Sequence, residues 1–144
     1  MEKEFIPWDE SLALKEFGFD EVCLYQYYLS DNNKNMLEYY ENGITNTELD
    51  DLTDKIDEEN IEYGNELQGP SCTAVLYQQA FKWFDKNTDF RGFVVTTTDG
   101  SSFGWATIDL FTKKKTVCEI GYSSRQEAEL ECIRKLIEIG KEEL

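Results

Sequence analysis

Phe90-Arg91-Gly92-Phe93-Val94-Val95-Thr96-Thr97-Thr98-Asp99-Gly100-Ser101-Ser102 is the stretch on which the fold turns. Its first nine residues are rich in β-branched and aromatic side chains, the composition of a strand. Asp99-Gly100-Ser101-Ser102 then supplies the turn chemistry of a tight hairpin. Residues 103–110 read as the returning strand, Lys113-Lys114-Lys115 as a basic turn and residues 116–122 as a third strand. Upstream, Ala74, Tyr77, Ala80, Phe81 and Phe84 recur at helical spacing, with Ser71 or Thr73 available as a cap. Downstream, Ser124-x-x-Glu127 has the form of a capping box. It opens a helix that carries Ala128, Cys132, Ile133, Leu136, Ile137 and Ile139 to about Gly140. Residues 70–144 thus predict an α-β-β-β-α unit, an antiparallel sheet covered by helices on one face.

The first 69 residues add a second set of elements. Asp9 can cap a short helix in which Leu12, Ala13 and Phe17 share a face, and Gly18 is a natural stop. Residues 22–29 and 36–40 read as the strands of a hairpin turning through Asp31-Asn32-Asn33-Lys34-Asn35. Leu49, Leu52 and Ile56 have the spacing of an amphipathic helix starting near Asn46. Residues 64–70 look like a linker. The expected fold class is therefore α+β: a short N-terminal helix and β-hairpin, an acidic helical segment, then the αβββα unit. All of it is expected to form one domain, 1–144, a size consistent with 144 residues.

Charge separates the two halves. The chain has 30 Asp/Glu against 14 Lys/Arg, a net −16. Residues 1–69 hold 19 of those acids and only 4 Lys, a net −15, and residues 70–144 are left at −1. An anionic half repels phosphate backbones and anionic bilayers alike, so neither nucleic acid nor membrane is an expected partner. No stretch approaches the roughly 20 apolar residues that cross a bilayer. The N-terminus lacks a basic n-region and an apolar h-region. The expectation is a cytoplasmic protein (host cytoplasm if phage-encoded, with virion association left open). Cys23, Cys72, Cys118 and Cys132 are expected as buried free thiols.

Two resemblances extend this reading. The element order of residues 70–144 is similar to that of double-stranded RNA-binding domains, and Glu119-Ile120-Gly121-Tyr122-Ser123-Ser124-Arg125-Gln126-Glu127-Ala128-Glu129 looks like that family's strand-end glycine and helix-opening motif. Arg125 keeps one basic position, but Gln126 and Glu129 stand at the other two, so the phosphate-binding chemistry of the motif is absent. The second resemblance is to an uncharacterised family of small acidic proteins found in Bacteroidetes genomes and their phages. It rests on residues 5–21, on Leu76-Tyr77-Gln78-Gln79-Ala80-Phe81-Lys82-Trp83-Phe84, and on residues 127–139. Val22 stands where those relatives commonly have Pro, and residues 31–68 match least. This resemblance implies a viral or mobile-element accessory protein and brings no activity with it.

The chain has no histidine. That removes Ser-His-Asp and Cys-His nucleophiles and every histidine-bearing zinc site. The would-be calcium loop beginning at Asp31 has Met36 where Gly is needed and Asn42 where Glu is needed. No catalytic residue, metal or cofactor is therefore expected. The expected function is non-enzymatic: protein–protein interaction through an acidic surface formed by Glu48, Asp50, Asp51, Asp54, Asp57, Glu58 and Glu59, facing a basic protein. The alternative is a small-molecule or nucleotide binder with an aromatic-lined pocket, assisted by Arg91, Lys114 or Arg125. Most aromatics are expected in the core. Tyr27 and Tyr28 point to opposite faces of their strand, so one of them is expected at the surface, as a ligand contact or an interface for a homodimer.

Overall fold

The computed structural model describes residues 4–29, 35–59, 68–117 and 121–143. In chain order the elements are α1 (Trp8–Glu16), β1 (Cys23–Leu29), β2 (Asn35–Ile44), α2 (Asn46–Glu59), β3 (Gln68–Thr73), α3 (Tyr77–Asn87), β4 (Phe90–Thr96), β5 (Phe103–Asp109), β6 (Lys115–Val117) and α4 (Arg125–Glu143). The class is α+β, with two three-stranded antiparallel sheets ordered β2-β1-β3 and β4-β5-β6. Packing divides the chain into two compact units, residues 6–75 and residues 1–5 with 76–144.

In the unit of residues 6–75, α1 ends as the sequence predicts. Gly18 takes φ +99, and the amides of Gly18 and Phe19 donate back to the Lys15 and Leu14 carbonyls. The left-handed conformation costs least at glycine. Asp9 lies inside the first turn, where an acid suits the positive end of the helix, and Pro7 holds the N-cap position. Residue Ser11 is fully buried and donates to the Ile6 carbonyl at 3.1 Å. Ile6, Leu14, Phe19, Leu49, Cys72 and Val75 form the buried interior.

β3 replaces the expected linker at residues 68–70, and it also takes in Ser71 and Thr73, which therefore do not cap α3. Gly69-Pro70 reads as a break because Pro cannot donate a ladder hydrogen bond. Here Pro70 sits on an edge strand where the register against β1 shifts, a place that tolerates it. The expected hairpin turn, residues 31–35, lies outside the described residues except for Asn35, the first residue of β2.

α2 starts at Asn46, as its apolar spacing predicts, and its first amides are capped from two directions. Thr45 Oγ1 accepts from Glu48 N while Glu48 Oε1 accepts from Thr45 N, both at 3.2 Å. Asp20, 27 residues upstream, accepts from Thr47 N at 2.7 Å and from Thr47 Oγ1 at 2.6 Å. The buried Asn46 side chain donates to the Phe19 carbonyl and accepts from Thr73 N, which fastens the helix start to β3.

In the unit of residues 1–5 and 76–144, the α-β-β-β-α order appears, with α3 and α4 on the β4–β5 sheet. Gln79 Oε1 reaches back to Leu76 N at the start of α3. At the start of α4, Ser124 Oγ accepts from Glu127 N at 3.2 Å. α4 runs past Gly140 to Glu143. The Asp99 turn forms as expected: its carboxylate accepts from Thr97 Oγ1, Ser101 Oγ and Ser101 N, which hold its pKa down at about 2. β6 covers residues 115–117, shorter and earlier than the predicted 116–122; residues 118–120 lie outside the described residues, and Tyr122 bridges back to Phe103.

Gly92 decides how closely α4 lies on the sheet. A Cβ there would stand 2.6 Å from Cys132 Sγ and 2.8 Å from Leu136 Cδ1. Cys132, Ile133 and Leu136 are fully buried beneath it.

Candidate functional site

The expected acidic surface lies on α2. Leu49 is fully buried and Leu52 half-buried, while Glu48, Asp50, Asp51 and Asp54 are exposed. Their surroundings differ. Glu48 is occupied by the Thr45 cap, and Asp50 accepts from Lys15 Nζ at 2.6 Å. Asp51 and Asp54 are exposed and form no ion pair among the described residues. Asp57, Glu58 and Glu59 occupy the last turn of α2, and their side chains lie outside the described residues. Residues 6–75 as a whole hold 17 Asp/Glu against 3 Lys, a net −14.

The expectation of an exposed Tyr27 or Tyr28 fails. Both are buried, at 8% exposure each. Consecutive residues of β1 point to opposite faces, so the burial of both rings means that both faces of the sheet are covered at this point. Tyr27 Oη also donates to the Ile6 carbonyl at 2.8 Å, as a core tyrosine does. Among the described residues the exposed tyrosine is Tyr39, at 55%, its ring tilted against Tyr25 at a centroid distance of 5.3 Å.

The three proposed cations do not converge. Arg125 opens α4 and pairs with Glu129 at 3.1 Å. It lines a shallow cleft of about 280 Å³ with Gln78, Phe81 and Val94, on the helix-covered side of the sheet. Arg91 lies on the opposite side. Since Gly92 faces α4, the alternation of β4 turns Arg91, Phe93 and Val95 away from the helices. Arg91 makes a loose pair with Asp85 at 3.8 Å. Lys114 sits in the β5–β6 turn, exposed, its carbonyl accepting from Asp109 N.

The cross-strand register assembles a face that sequence reading did not find. Arg91, Ile108 and Lys115 form one row across β4, β5 and β6, Phe93 and Ala106 belong to the next, and Val95 and Gly104 to the third. Phe93 is 42% exposed and Lys115 Nζ stands 5.7 Å from its ring centroid, a cation–π contact. Beside this face, the β5–β6 turn projects Phe111 at 86% exposure next to Lys113 and Lys114. The signal for the face lies in strand registry, which no local pattern carries; only the triple lysine was visible beforehand.

The thiols offer no reactive centre among the described residues. Cys23, Cys72 and Cys132 are buried, and burial pushes the Cys72 and Cys132 thiols up to about 12. Cys118 lies outside the described residues. Among the described helices none is long and apolar enough to cross a membrane. Compared with protein-family models, curated proteins and solved structures, the chain matches none.

Proposed function

We propose that this protein acts without catalysis, by presenting the acidic outer face of α2 to a basic protein surface. The observation that carries this is the pairing of exposure with fixation. Asp51 and Asp54 stand on a helix whose apolar side is buried through Leu49 and whose start is held by Thr45, Asp20 and Asn46. A solubilising acidic tail needs no such anchoring. A recognition surface gains from it, because side chains fixed before binding lose less freedom on binding.

The test is titration of a lysine-rich peptide by calorimetry at 50 and 300 mM salt. The wild type is compared with a chain neutralised on α2 (Asp51→Asn, Asp54→Asn, Asp57→Asn, Glu58→Gln). A control chain is neutralised at the same number of acids elsewhere (Asp85→Asn, Asp89→Asn, Glu138→Gln, Glu142→Gln). Binding that weakens on the order of tenfold in the α2 chain but little in the control supports the reading. Equal losses in both chains would show general charge attraction and refute it.

A further inference from the structure

We infer that two copies of this chain pair edge to edge along β4, antiparallel about a two-fold axis at Val94, joining their β4-β5-β6 sheets into one. This contact is independent of the acidic-face reading, which uses other residues. A sheet edge presents unpaired amides and carbonyls, and folded proteins blunt such edges with bulges, proline, charge or shortness. The other edge strands, β2, β3 and β6, carry these devices. In β2 the register jumps between Tyr39 and Ile44, Gly43 takes φ +76, and Glu38 and Glu41 lie on the strand. β3 has Pro70 and a register shift of its own. β6 is three residues long and begins with Lys115. β4 has no such device: its seven residues pair one to one with β5 without a shift, none is proline, and Arg91 is its one charge.

The hairpin fixes which backbone groups β4 turns outward. Thr97 N donates to Ser102 O at 3.0 Å and Leu110 N to Asp89 O at 2.8 Å. Hydrogen-bonded pairs alternate along an antiparallel ladder, so Arg91, Phe93 and Val95 aim their backbone groups at β5. Phe90, Gly92, Val94 and Thr96 aim theirs away. Phe90 is served locally, its amide donating to Thr88 Oγ1 and its carbonyl accepting from it, both at 3.1 Å. Gly92, Val94 and Thr96 make no outward backbone bond among the described residues. The edge is open there. The shallow cleft beside Arg125 touches Gly92 and Val94, which face the helices, and also Phe93, which faces away, so it runs along the outer side of the strand.

These residues are symmetric about Val94, and that symmetry selects a second copy as the partner. In antiparallel pairing about Val94, the two Val94 residues exchange both backbone bonds, and Gly92 of each copy does the same with Thr96 of the other. On the face away from the helices, Phe93 comes opposite Val95 of the second copy, an aromatic and β-branched pair of the kind that stabilises sheets. On the helix side, Gly92 leaves room for Thr96. At each end Arg91 stands next to Asp89 of its own chain and diagonal to Asp99 of the second copy, which offsets the one like-charge pairing of this register. The contact is isologous and closes at two copies. Charge permits it, since residues 1–5 and 76–144 hold 13 Asp/Glu against 11 Lys/Arg, a net −2 of the chain's −16.

Sedimentation velocity on the full chain, from about 1 to 500 µM, is the measurement, with far-UV circular dichroism confirming that each variant is folded. The wild type is expected to dimerise more strongly at 150 mM than at 10 mM NaCl, as repulsion between copies of net −16 is screened. It stays dimeric at 1 M, because backbone bonds and apolar pairs are not screened. Val94→Pro removes an outward amide and no bond to β5, and is expected to weaken dimerisation on the order of tenfold or more. If it unfolds the chain, Thr96→Pro, whose amide also points outward, carries the same comparison. Val94→Cys tests the register: with diamide as oxidant, its two thiols are expected to link, since opposed Cα atoms of a hydrogen-bonded pair lie about 5.5 Å apart. Thr98→Cys, whose copies lie roughly 27 Å apart in this register, is expected to stay unlinked. A wild type monomeric at every concentration and salt overturns the inference. So does a folded Val94→Pro chain that dimerises like wild type, or Thr98→Cys linking as readily as Val94→Cys. None of these results bears on capture of the lysine-rich peptide by α2, so the acidic-face reading stands or falls separately.

Discussion

Gly92 shows how a residue can be read correctly as part of a strand while its packing role stays hidden from the sequence. In the sequence it is a weak strand former inside an otherwise β-branched run. In the structure its missing side chain is the space that Cys132 and Leu136 occupy. Gly92→Ala is expected to destabilise the fold by about 1–3 kcal/mol, the usual cost of overpacking a filled interior. Gly121→Ala, where a Cβ meets nothing within 4 Å, is expected to be near neutral. Urea denaturation of both variants checks the contrast, and equal behaviour would mean that α4 yields without cost. The tyrosine pair fails at the same scale for a related reason. Alternation puts the two rings on opposite faces of β1, yet exposure depends on what packs against each face, and here both are covered.

At the level of elements, α2 was legible because its apolar spacing is local, whereas one of its caps is not. Asp20 binds Thr47 across 27 positions of sequence. Asp20→Ala is expected to cost about 1 kcal/mol, a typical capping loss. The pH dependence follows from the direction of the shift. The Thr47 hydroxyl, and then the Thr47 amide, hold the Asp20 carboxyl below its usual 3.8. The capping contribution is therefore complete above about 3.8 and disappears as the pH falls through the lowered value. The stability gap between Asp20→Ala and wild type, measured by urea denaturation, should be constant from pH 5 to 8 and close in strong acid. A gap that persists there would assign the cap to something other than the carboxylate. β3 was illegible for the opposite reason, since Gly69-Pro70 carries a strong local signal for a break that an irregular edge strand absorbs.

Across the whole molecule the governing quantity is charge imbalance. A net −16 with −14 in residues 6–75 places many like charges within one Debye length of each other at low salt. Raising NaCl from 20 to 300 mM is expected to raise the melting temperature. Relief of roughly 1 kcal/mol of repulsion corresponds to a rise of roughly 3 °C for a chain of this length. Differential scanning calorimetry at concentrations where the chain is monomeric checks this. A fall would mean that favourable ion pairs such as Lys15–Asp50 outweigh the repulsion.

The αβββα order, the amphipathic acidic helix and the excess of negative charge were determined by sequence alone. Each depends on neighbours a few positions apart or on simple counting. The same holds for the turn at Asp99, whose chemistry is contained in six residues. Tertiary structure alone decided that Tyr27 and Tyr28 are interior, that residues 68–70 complete a sheet, and that Arg91, Phe93 and Lys115 share a face while Arg125 stands on the other side. Those outcomes depend on strand registry and on which surfaces pack, interactions between residues far apart in the chain. The acidic helix on which the functional proposal rests was visible in sequence; the registry that sets Arg91, Ile108 and Lys115 in one row was not.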